Sequence, residues 1–231
     1  MFHETLPDAQ ASATPFKFAL PPVAPAQPST TTLEARRSLA LQGAFRAGNF
    51  RIRQGCIALH QSLVDGRRQI LDILGPGRLL GPDLMSALVC SAEPMTPTII
   101  ETLPVGPATD ADVLLALRLM LKRAQAHAML LGRKTAAEKV ASALIDLAAQ
   151  FAGAKRPSSE RAITFRLYLT RADLADWLGL TLETVSRTLN AFKRGQIIDF
   201  RHADIITIKD AAALATLAAG ELPRQMLAQD R

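Results

Sequence analysis

Residues 170–192 read TRADLADWLGLTLETVSRTLNAF, a stretch that predicts two short helices joined by a tight turn. Thr170 and Asp173 have the spacing of a capping box, in which a hydroxyl and a carboxylate satisfy free N–H groups of the first turn. Gly179 follows the last apolar residue of the first helix, where a left-handed residue commonly ends a helix. Thr181 can cap a second helix immediately afterwards. This pattern is typical of a helix-turn-helix.

The apolar residues of both helices fall on faces that can pack together. Leu174 and Leu178 share one face of the first helix, and Val185 and Leu189 share one face of the second. Ala175 lies where the helices are expected to cross, and its small side chain allows a close approach. A small hydrophobic core between the two helices is therefore predicted.

The outer face of the second helix is polar and carries Glu183, Ser186 and Arg187, which form one stripe at the spacing i, i+3, i+4. Arg can donate two hydrogen bonds to guanine, Glu can accept one from cytosine, and Ser can take either role in the major groove. We therefore predict that these three residues read DNA bases. The alternative is a solvated polar face on a small helical hairpin.

This stripe resembles the E-x-x-S-R signature that the Fnr branch of the Crp-Fnr family of bacterial transcription regulators carries on its recognition helix. The Crp branch has an arginine immediately before the glutamate, whereas this chain has Leu182. The resemblance is thus to Fnr-like and FixK-like members and implies DNA half-sites of the TTGAT type. The family usually has an apolar residue where Thr188 stands, so we expect Leu189 and Phe192 to provide the helix packing.

Composition and charge are compatible with a globular protein that binds a polyanion. The chain has 231 residues, 48% of them hydrophobic and 21% charged, which is ordinary for a globular domain. Its net charge is +6, and residues 155–209 hold ten Lys or Arg against six Asp or Glu. The basic excess favours nucleic acid as a partner but does not prove it.

Two cysteines, Cys56 and Cys90, lie 34 positions apart and have no metal-ligand spacing. They are either buried free thiols or a redox-sensing pair, which would need solvent access and a lowered pKa. The four-cysteine iron-sulfur cluster of Fnr is not carried over to this chain. His60 and His127 are isolated, and a lone histidine is more often structural than a metal or haem ligand. No cofactor is predicted.

The N-terminal sequence shows no secretory signal, and no apolar run reaches the length of a membrane span. A cytoplasmic location without membrane contact is therefore expected. Residues 1–32 contain prolines at 7, 15, 21, 22, 25 and 28, which predicts a disordered arm. Residues 221–231 are predicted to be a frayed tail.

Short strands with glycine turns are predicted for residues 33–109, an antiparallel β-roll or jelly roll. The strand candidates are Phe50–Arg53, Cys56–Leu63, Arg67–Leu74 and Pro97–Leu103, with Asp65-Gly66 as a hairpin turn.

Residues 55–83, which include DGRRQIL, resemble the sensory roll of Crp-Fnr proteins. The residues that bind a cyclic nucleotide in some members are not matched here. No opening strands stand out before Phe50, so both a complete and a degenerate roll remain open.

A helical period begins at residue 110 and continues to residue 134. Apolar residues alternate at threes and fours, as in a coiled-coil seam. A neighbouring apolar stripe widens this surface, although an ordinary core helix is the alternative. The resemblance implies that this helix forms a homodimer interface, with seam residues Leu114, Leu117, Leu121, Ala124, Ala128 and Leu131.

Residues 135–220 are predicted to form a winged helix-turn-helix domain. It begins with a capping box at Thr135 and Glu138, and it includes a strand over Ala162–Leu169 and a hairpin wing with strands at Gln196–Phe200 and Ile205–Ile208. Basic and hydroxyl side chains around the recognition helix are candidates for DNA phosphate contacts, although exposed solubilising charge is the alternative for the basic ones. The candidates are Thr170, Thr181, Thr184, Lys193, Arg194 and Arg201.

The sequence therefore predicts an α+β protein with an N-terminal β-roll, a long dimerisation helix and a C-terminal winged helix-turn-helix. Its expected function is transcription regulation through an inverted DNA repeat, with RNA polymerase as a further partner. The competing class is a small-molecule-responsive or redox-responsive protein whose helical domain contacts other proteins. No catalytic constellation supports an enzyme.

Overall fold

The computed structural model describes residues 29–36, 48–81, 84, 90–152, 162–200, 202 and 204–221, and the elements below are numbered within them. The strands are β1 Thr30–Leu33, β2 Phe50–Gln54, β3 Ile57–Ser62, β4 Arg68–Leu74, β5 Leu79–Leu80, β6 Ser91–Pro94, β7 Thr98–Thr102, β8 Ile163–Arg166, β9 Ile198–Asp199 and β10 Ile205–Ile208. The helices are α1 Pro107–Arg133, α2 Ala136–Phe151, α3 Arg171–Leu178, α4 Leu182–Arg194 and α5 Ala211–Ala219.

Two antiparallel sheets form the N-terminal roll, with strand orders β1-β7-β2-β5 and β4-β3-β6. The predicted hairpin at Asp65-Gly66 joins β3 to β4, where Ser62 faces Arg68 across the ladder. Gly66 has a φ of 85°, a left-handed value that glycine adopts without strain. The predicted antiparallel architecture is therefore confirmed.

One boundary was predicted wrongly, because the end of the predicted disordered arm is a strand. Thr30–Leu33 pairs with β7, with Thr30 opposite Glu101 and Leu33 opposite Thr98. This strand has no buried alternation in its own sequence, since its three threonines are exposed. Its partner lies about seventy residues away, which a local pattern cannot indicate. The earlier part of the predicted arm, residues 1–28, lies outside the described residues.

Two further strands, β5 and β6, were not predicted. The short Leu79–Leu80 pairs with Phe50 and Arg51 of β2. Ser91–Pro94 is polar and pairs with the first four residues of β3. Together they complete the two sheets beyond the four strands that the sequence pattern indicated.

Helices α1 and α2 follow the roll and are separated by a sharp break. Lys134 is extended, and Thr135 caps α2 through the predicted capping box with Glu138. The first half of α1 packs on the roll core through Val113, Ala116 and Met120. Among the described residues, no helix is long and apolar enough to cross a bilayer.

The C-terminal domain contains α2 to α5 and a three-stranded sheet of order β8-β10-β9. The strand predicted over Ala162–Leu169 is shorter and spans only Ile163–Arg166, although Leu167 and Leu169 beyond it are buried as expected. The strand predicted at Gln196–Phe200 is likewise reduced to Ile198–Asp199. The predicted hairpin wing is present.

The two halves of the molecule share one continuous core. Cys56, Ala58 and Ile70 of the roll belong to the same buried cluster as Trp177 and Leu178 of α3. One face of the β4-β3-β6 sheet is thus covered by the helix-turn-helix.

Candidate nucleic-acid interface

Helices α3 and α4 form the predicted helix-turn-helix, and local hydrogen bonds set its ends. Thr170 and Asp173 form a reciprocal capping box on α3. Gly179 ends this helix in the left-handed conformation with a φ of 59°. Thr181 then caps α4, with its hydroxyl accepting a hydrogen bond from the backbone N–H of Thr184 at 3.1 Å. The capping signals found in the sequence therefore all operate.

The inner face of α4 is apolar and fully buried. Val185, Leu189 and Phe192 have at most 1% of their surface exposed. Thr188 stands where an apolar residue was expected, and its hydroxyl donates to the backbone oxygen of Thr184 at 2.8 Å. The structure thus confirms that Leu189 and Phe192 carry the packing of the helix.

The predicted reading face points away from this core. The side chains of Glu183 and Arg187 are 76% and 71% exposed, and their charged groups lie 3.7 Å apart. Ser186 lies between them and is half-buried. An exposed ion pair at this distance contributes little to stability. Both side chains can therefore give up this contact and bind base edges instead at little cost. Their role in base reading stays a prediction.

The six predicted phosphate contacts have different environments. The hydroxyls of Thr181 and Thr184 lie 2.9 Å apart at the N-terminus of α4, where the helix dipole favours an anion. Thr170 gives its backbone N–H and its hydroxyl to Asp173, at 2.8 and 2.7 Å. Arg194 is exposed, and Arg201 lies outside the described residues.

Lys193, the remaining candidate, is tied to the wing. Its ammonium donates to the backbone oxygen of Phe200 at 2.8 Å and lies 4.4 Å from the centre of that ring. It also pairs with Asp199 at 3.2 Å, and this hydrogen bond lowers the pKa of the Asp199 carboxyl. Lys193 therefore fixes the wing against α4.

Arg171 was missed by the sequence analysis. It is the first residue of α3, and its guanidinium lies 5.1 Å from the centre of the Phe200 ring, which Lys193 also contacts. Burial lowers the pKa of Arg171, and its Nη1 has no hydrogen-bond partner within the described part of the chain. Its place next to Thr170 was the only sequence signal. This guanidinium is enclosed by protein and packs the start of α3 against the wing.

Two arginines of the roll, also missed, hold the helix-turn-helix from behind. Arg36 donates to both oxygens of Asp173, at 3.0 and 2.7 Å, and Arg68 donates to the same carboxylate at 2.6 Å. Burial by itself raises the pKa of the Asp173 carboxyl, but hydrogen bonds from Arg36, Thr170 and Arg68 outweigh it and hold that pKa well below its usual range. The capping residue of α3 is therefore also an interdomain contact.

The residues of the predicted dimer seam of α1 fall into two groups, some packed inside the single chain and others exposed. Leu117 packs on the roll core, and Leu131 packs on the core of the C-terminal domain. Leu114 and Leu121 are 53% and 63% exposed. Leu115 and Met129, outside the predicted seam, are exposed as well. The outward members of the seam are Leu114, Leu121, Ala124 and Ala128.

In the described residues, the thiols and imidazoles belong to no group of three or more His, Cys, Asp or Glu side chains that could hold a metal ion. Burial raises the pKa of Cys56 above its usual range and that of Cys90 to about 11, so both are protonated thiols at neutral pH. Burial also lowers the pKa of His60 and of His127.

A mostly apolar cavity of about 240 Å³ separates the roll from α1 and includes Cys90, Met120 and Leu121 in its wall. The charged residue of that wall is Asp72. Its carboxylate is already paired with Arg78 and Arg123, at 2.9 and 2.7 Å. The described part of the wall therefore offers a phosphate no free cation.

The chain has clear relatives among characterised regulators. A family model described as a Crp-like helix-turn-helix domain matches residues 138–217. The nitrogen fixation regulation protein FixK of Rhizobium meliloti is 32% identical over 215 residues, which cover 90% of this chain and 98% of that protein. The transcriptional activator protein FnrL of Cereibacter sphaeroides is 34% identical over 69% of this chain and 68% of its own length.

Solved structures agree with these sequence relatives. FixK2 from Bradyrhizobium japonicum superposes with a TM-score of 0.72 at 26% identity, covering 83% of this chain and 98% of that one. A CRP/FNR family regulator from Thermus thermophilus gives a TM-score of 0.65 at 22% identity, over 83% and 98% of the two chains, a likeness of fold alone.

The charge on Asp173 predicts a pH-dependent stability. Asp173→Asn is expected to lower the free energy of unfolding by about 3 kcal/mol at pH 7, because Arg36 and Arg68 lose the buried anion that pairs with both of them. The folded-state pKa lies below the ordinary value of 3.8, so this contribution is present above that value and is lost as the pH falls below it. Urea unfolding should show a smaller difference between wild type and variant at about pH 3.5 than at pH 7.

Asp65→Asn is the matched control, since Asp65 is exposed and its ion pair within the described residues is with Arg67 of the same hairpin. It should change stability by less than about 0.5 kcal/mol at either pH. A difference for Asp173→Asn that stayed constant with pH would contradict the assigned charge effect.

Proposed function

Because this chain belongs to the Crp-Fnr family of DNA-binding transcription regulators, in the branch of Fnr and FixK, we propose that it binds as a homodimer to an inverted repeat of TTGAT-type half-sites. The observation that carries the proposal is the exposed pair of Glu183 and Arg187 on the outer face of α4. The helix behind this pair is fixed by buried apolar residues and a capped N-terminus. The chain is a regulator and not an enzyme.

Each reading residue has an assigned base partner. Arg187 donates two hydrogen bonds to the guanine of the half-site, and Glu183 accepts one from the cytosine amino group of the opposite strand. Ser186 contacts the neighbouring base pair. The N-terminal part of a recognition helix enters the major groove, which is where Glu183 lies on α4.

Phosphate contacts surround this helix and position it on the duplex. Thr181 and Thr184 at the N-terminus of α4, and Arg194 at its C-terminus, lie at the edges of the reading face. Thr170 and Lys193 contribute by holding the helix and the wing in place, in addition to any contact of their own.

The outward leucines of α1 support the homodimer. Leu114 and Leu121 are large and apolar, and their exposure is unfavourable for a monomer unless a partner covers them. Helix-turn-helix dimers contact two half-sites that are about 34 to 36 Å apart, one turn of DNA. An inverted repeat matches this two-fold symmetry.

Activation of transcription is the regulatory outcome that the relatives support, since FnrL is a transcriptional activator protein. Activation implies contact with RNA polymerase, and a DNA partner agrees with the expected cytoplasmic location. No effector is required in this proposal, so the amount or stability of the protein controls its activity. The protonated, buried Cys56 gives no support to redox control.

The first test is binding of the ligand-free protein to a duplex that carries TTGAT and its inverted copy, compared with a scrambled duplex at several salt concentrations. We expect tighter binding to the repeat and saturation at one dimer per duplex. The logarithm of the binding constant should fall linearly with the logarithm of the salt concentration, because counterions are released from phosphates. Weak binding without salt dependence would instead support the alternative class, in which the helical domain contacts proteins.

Replacing Arg187 should identify the guanine contact. Arg187→Ala is expected to cost about 1 to 3 kcal/mol on the repeat and to relax the preference for guanine at that position. The measurement is competition between the repeat and a guanine-substituted repeat. Arg53→Ala is the control, since Arg53 is an exposed arginine of the roll that pairs with Glu101. If the Arg187 variant prefers the repeat over the guanine-substituted repeat as strongly as the wild type does, Arg187 does not contact that guanine.

Charge at the seam of α1 should separate the subunits. Leu121→Glu places two like charges together at a two-fold interface, which we expect to weaken the dimer by roughly 100-fold or more. Leu115→Glu is the matched control, because Leu115 is as exposed but lies about 120° around the helix. Analytical ultracentrifugation should show the first variant as a monomer and the second as a dimer. The opposite result would place the interface on the other flank of α1.

A further inference from the structure

A cluster of charged side chains occupies the boundary between the roll and the helix-turn-helix. It contains Arg36, Arg68 and Glu93 from the roll, and Asp173 and Asp176 from α3. Three of these side chains are well shielded from solvent, with Glu93 13%, Arg68 22% and Asp173 3% exposed. We call this group the interdomain cluster.

Arg68 is the centre of the interdomain cluster. Its guanidinium donates through Nη2 to Asp173 at 2.6 Å and through Nε to Asp176 at 3.0 Å. Its Nη1 donates to Glu93 of β6 at 2.8 Å. One planar group therefore contacts three carboxylates on two domains, and the contact to Glu93 fixes its orientation on the roll side.

Neighbouring contacts strengthen the same connection. Arg36 adds its two hydrogen bonds to Asp173, and Gln69, next to Arg68, donates to the backbone oxygen of Trp177 at 3.2 Å. Buried ion pairs contribute little net stability compared with apolar packing, but they require one geometry. The interdomain cluster is thus better suited to fixing an orientation than to holding the fold together.

The orientation that it fixes is that of the recognition helix. Ala175 and Leu178 of α3 belong to the same buried cluster as Val185 of α4. Fixing α3 therefore also fixes α4, which carries the predicted reading face.

The chain connection between α1 and the C-terminal domain is the break at Lys134 and Thr135. Rotation of that domain about this break is limited by the shared core, by the ion pair of Arg123 with Asp146 and by the interdomain cluster. In a dimer joined through α1, this rotation changes the distance and angle between the two recognition helices.

We propose that Arg68, assisted by Arg36, determines the half-site spacing that the dimer accepts, by locking α3 to the roll. This inference rests on the proposed function, because it concerns the two DNA half-sites of the homodimer. Arg68 acts through Asp173 and Asp176 and contacts no base, so it is a positioning residue.

The test is a spacing series of operator duplexes. The inverted repeat is prepared with its central spacer unchanged, with one base pair inserted and with one removed, together with a duplex that carries a single half-site. One base pair rotates one half-site against the other by about 34 to 36°. The proteins are the wild type, Arg68→Gln, Asp176→Asn and the control Arg67→Gln. The side chain of Arg67 is exposed and pairs with Asp65 inside the β3–β4 hairpin.

We expect the wild type and Arg67→Gln to lose on the order of 100-fold in affinity when the spacer changes, since one helix then misses its base contacts. Arg68→Gln should lose only about tenfold or less across the same series, with weaker binding to the correct spacing and unchanged binding to the single half-site. Asp176→Asn should show an intermediate penalty, and it carries the test if Arg68→Gln does not fold.

The proposal is overturned if both cluster variants keep the wild-type spacing penalty, or if they lose the same factor on every duplex including the single half-site. A wild type that does not distinguish the correctly spaced repeat from a scrambled duplex would overturn the proposed function itself. These two failures are seen in different proteins of the same experiment and are therefore distinguishable.

Discussion

The carboxylate of Asp173 is the point on which the roll, the helix-turn-helix and the reading face all depend. It accepts the backbone N–H and the hydroxyl of Thr170, which starts α3, and it accepts hydrogen bonds from Arg36 and Arg68, which belong to the roll. The same carboxylate therefore serves both the capping box of α3 and the contact between the two domains. Loss of its charge would loosen the helix start and the domain boundary together.

The helix-turn-helix was predictable because its determinants are local. Each cap lies three residues from the N–H that it accepts, as with Thr181 and Thr184, and Gly179 marks the turn by its own conformational freedom. The apolar positions of α4 repeat with the helical period and are the positions that are buried. The polar stripe of Glu183 and Arg187 then had to face outward, and it does.

Contacts between distant segments were not predictable in the same way. The strand Thr30–Leu33 is exposed and polar, and only its pairing with β7 makes it a strand. The contacts of Arg36 and Arg68 with Asp173 were not predicted, because nothing near either arginine in sequence indicates a buried carboxylate 137 or 105 residues away. Arg171 was similarly hidden, since its stacking on Phe200 depends on where the wing folds back.

The residues that fix the position of the helix-turn-helix are thus different from the residues that are proposed to contact bases. The supporting groups are buried: Val185 and Leu189 lie in the apolar core, and the Asp173 carboxylate accepts hydrogen bonds from Thr170 and from two arginines. Glu183 and Arg187, which we propose read bases, are exposed and paired at 3.7 Å, a contact weak enough to be exchanged for base edges at small cost. If the chain binds DNA half-sites as proposed, little of the binding energy is needed to order the recognition helix, so more of it can depend on which base is contacted.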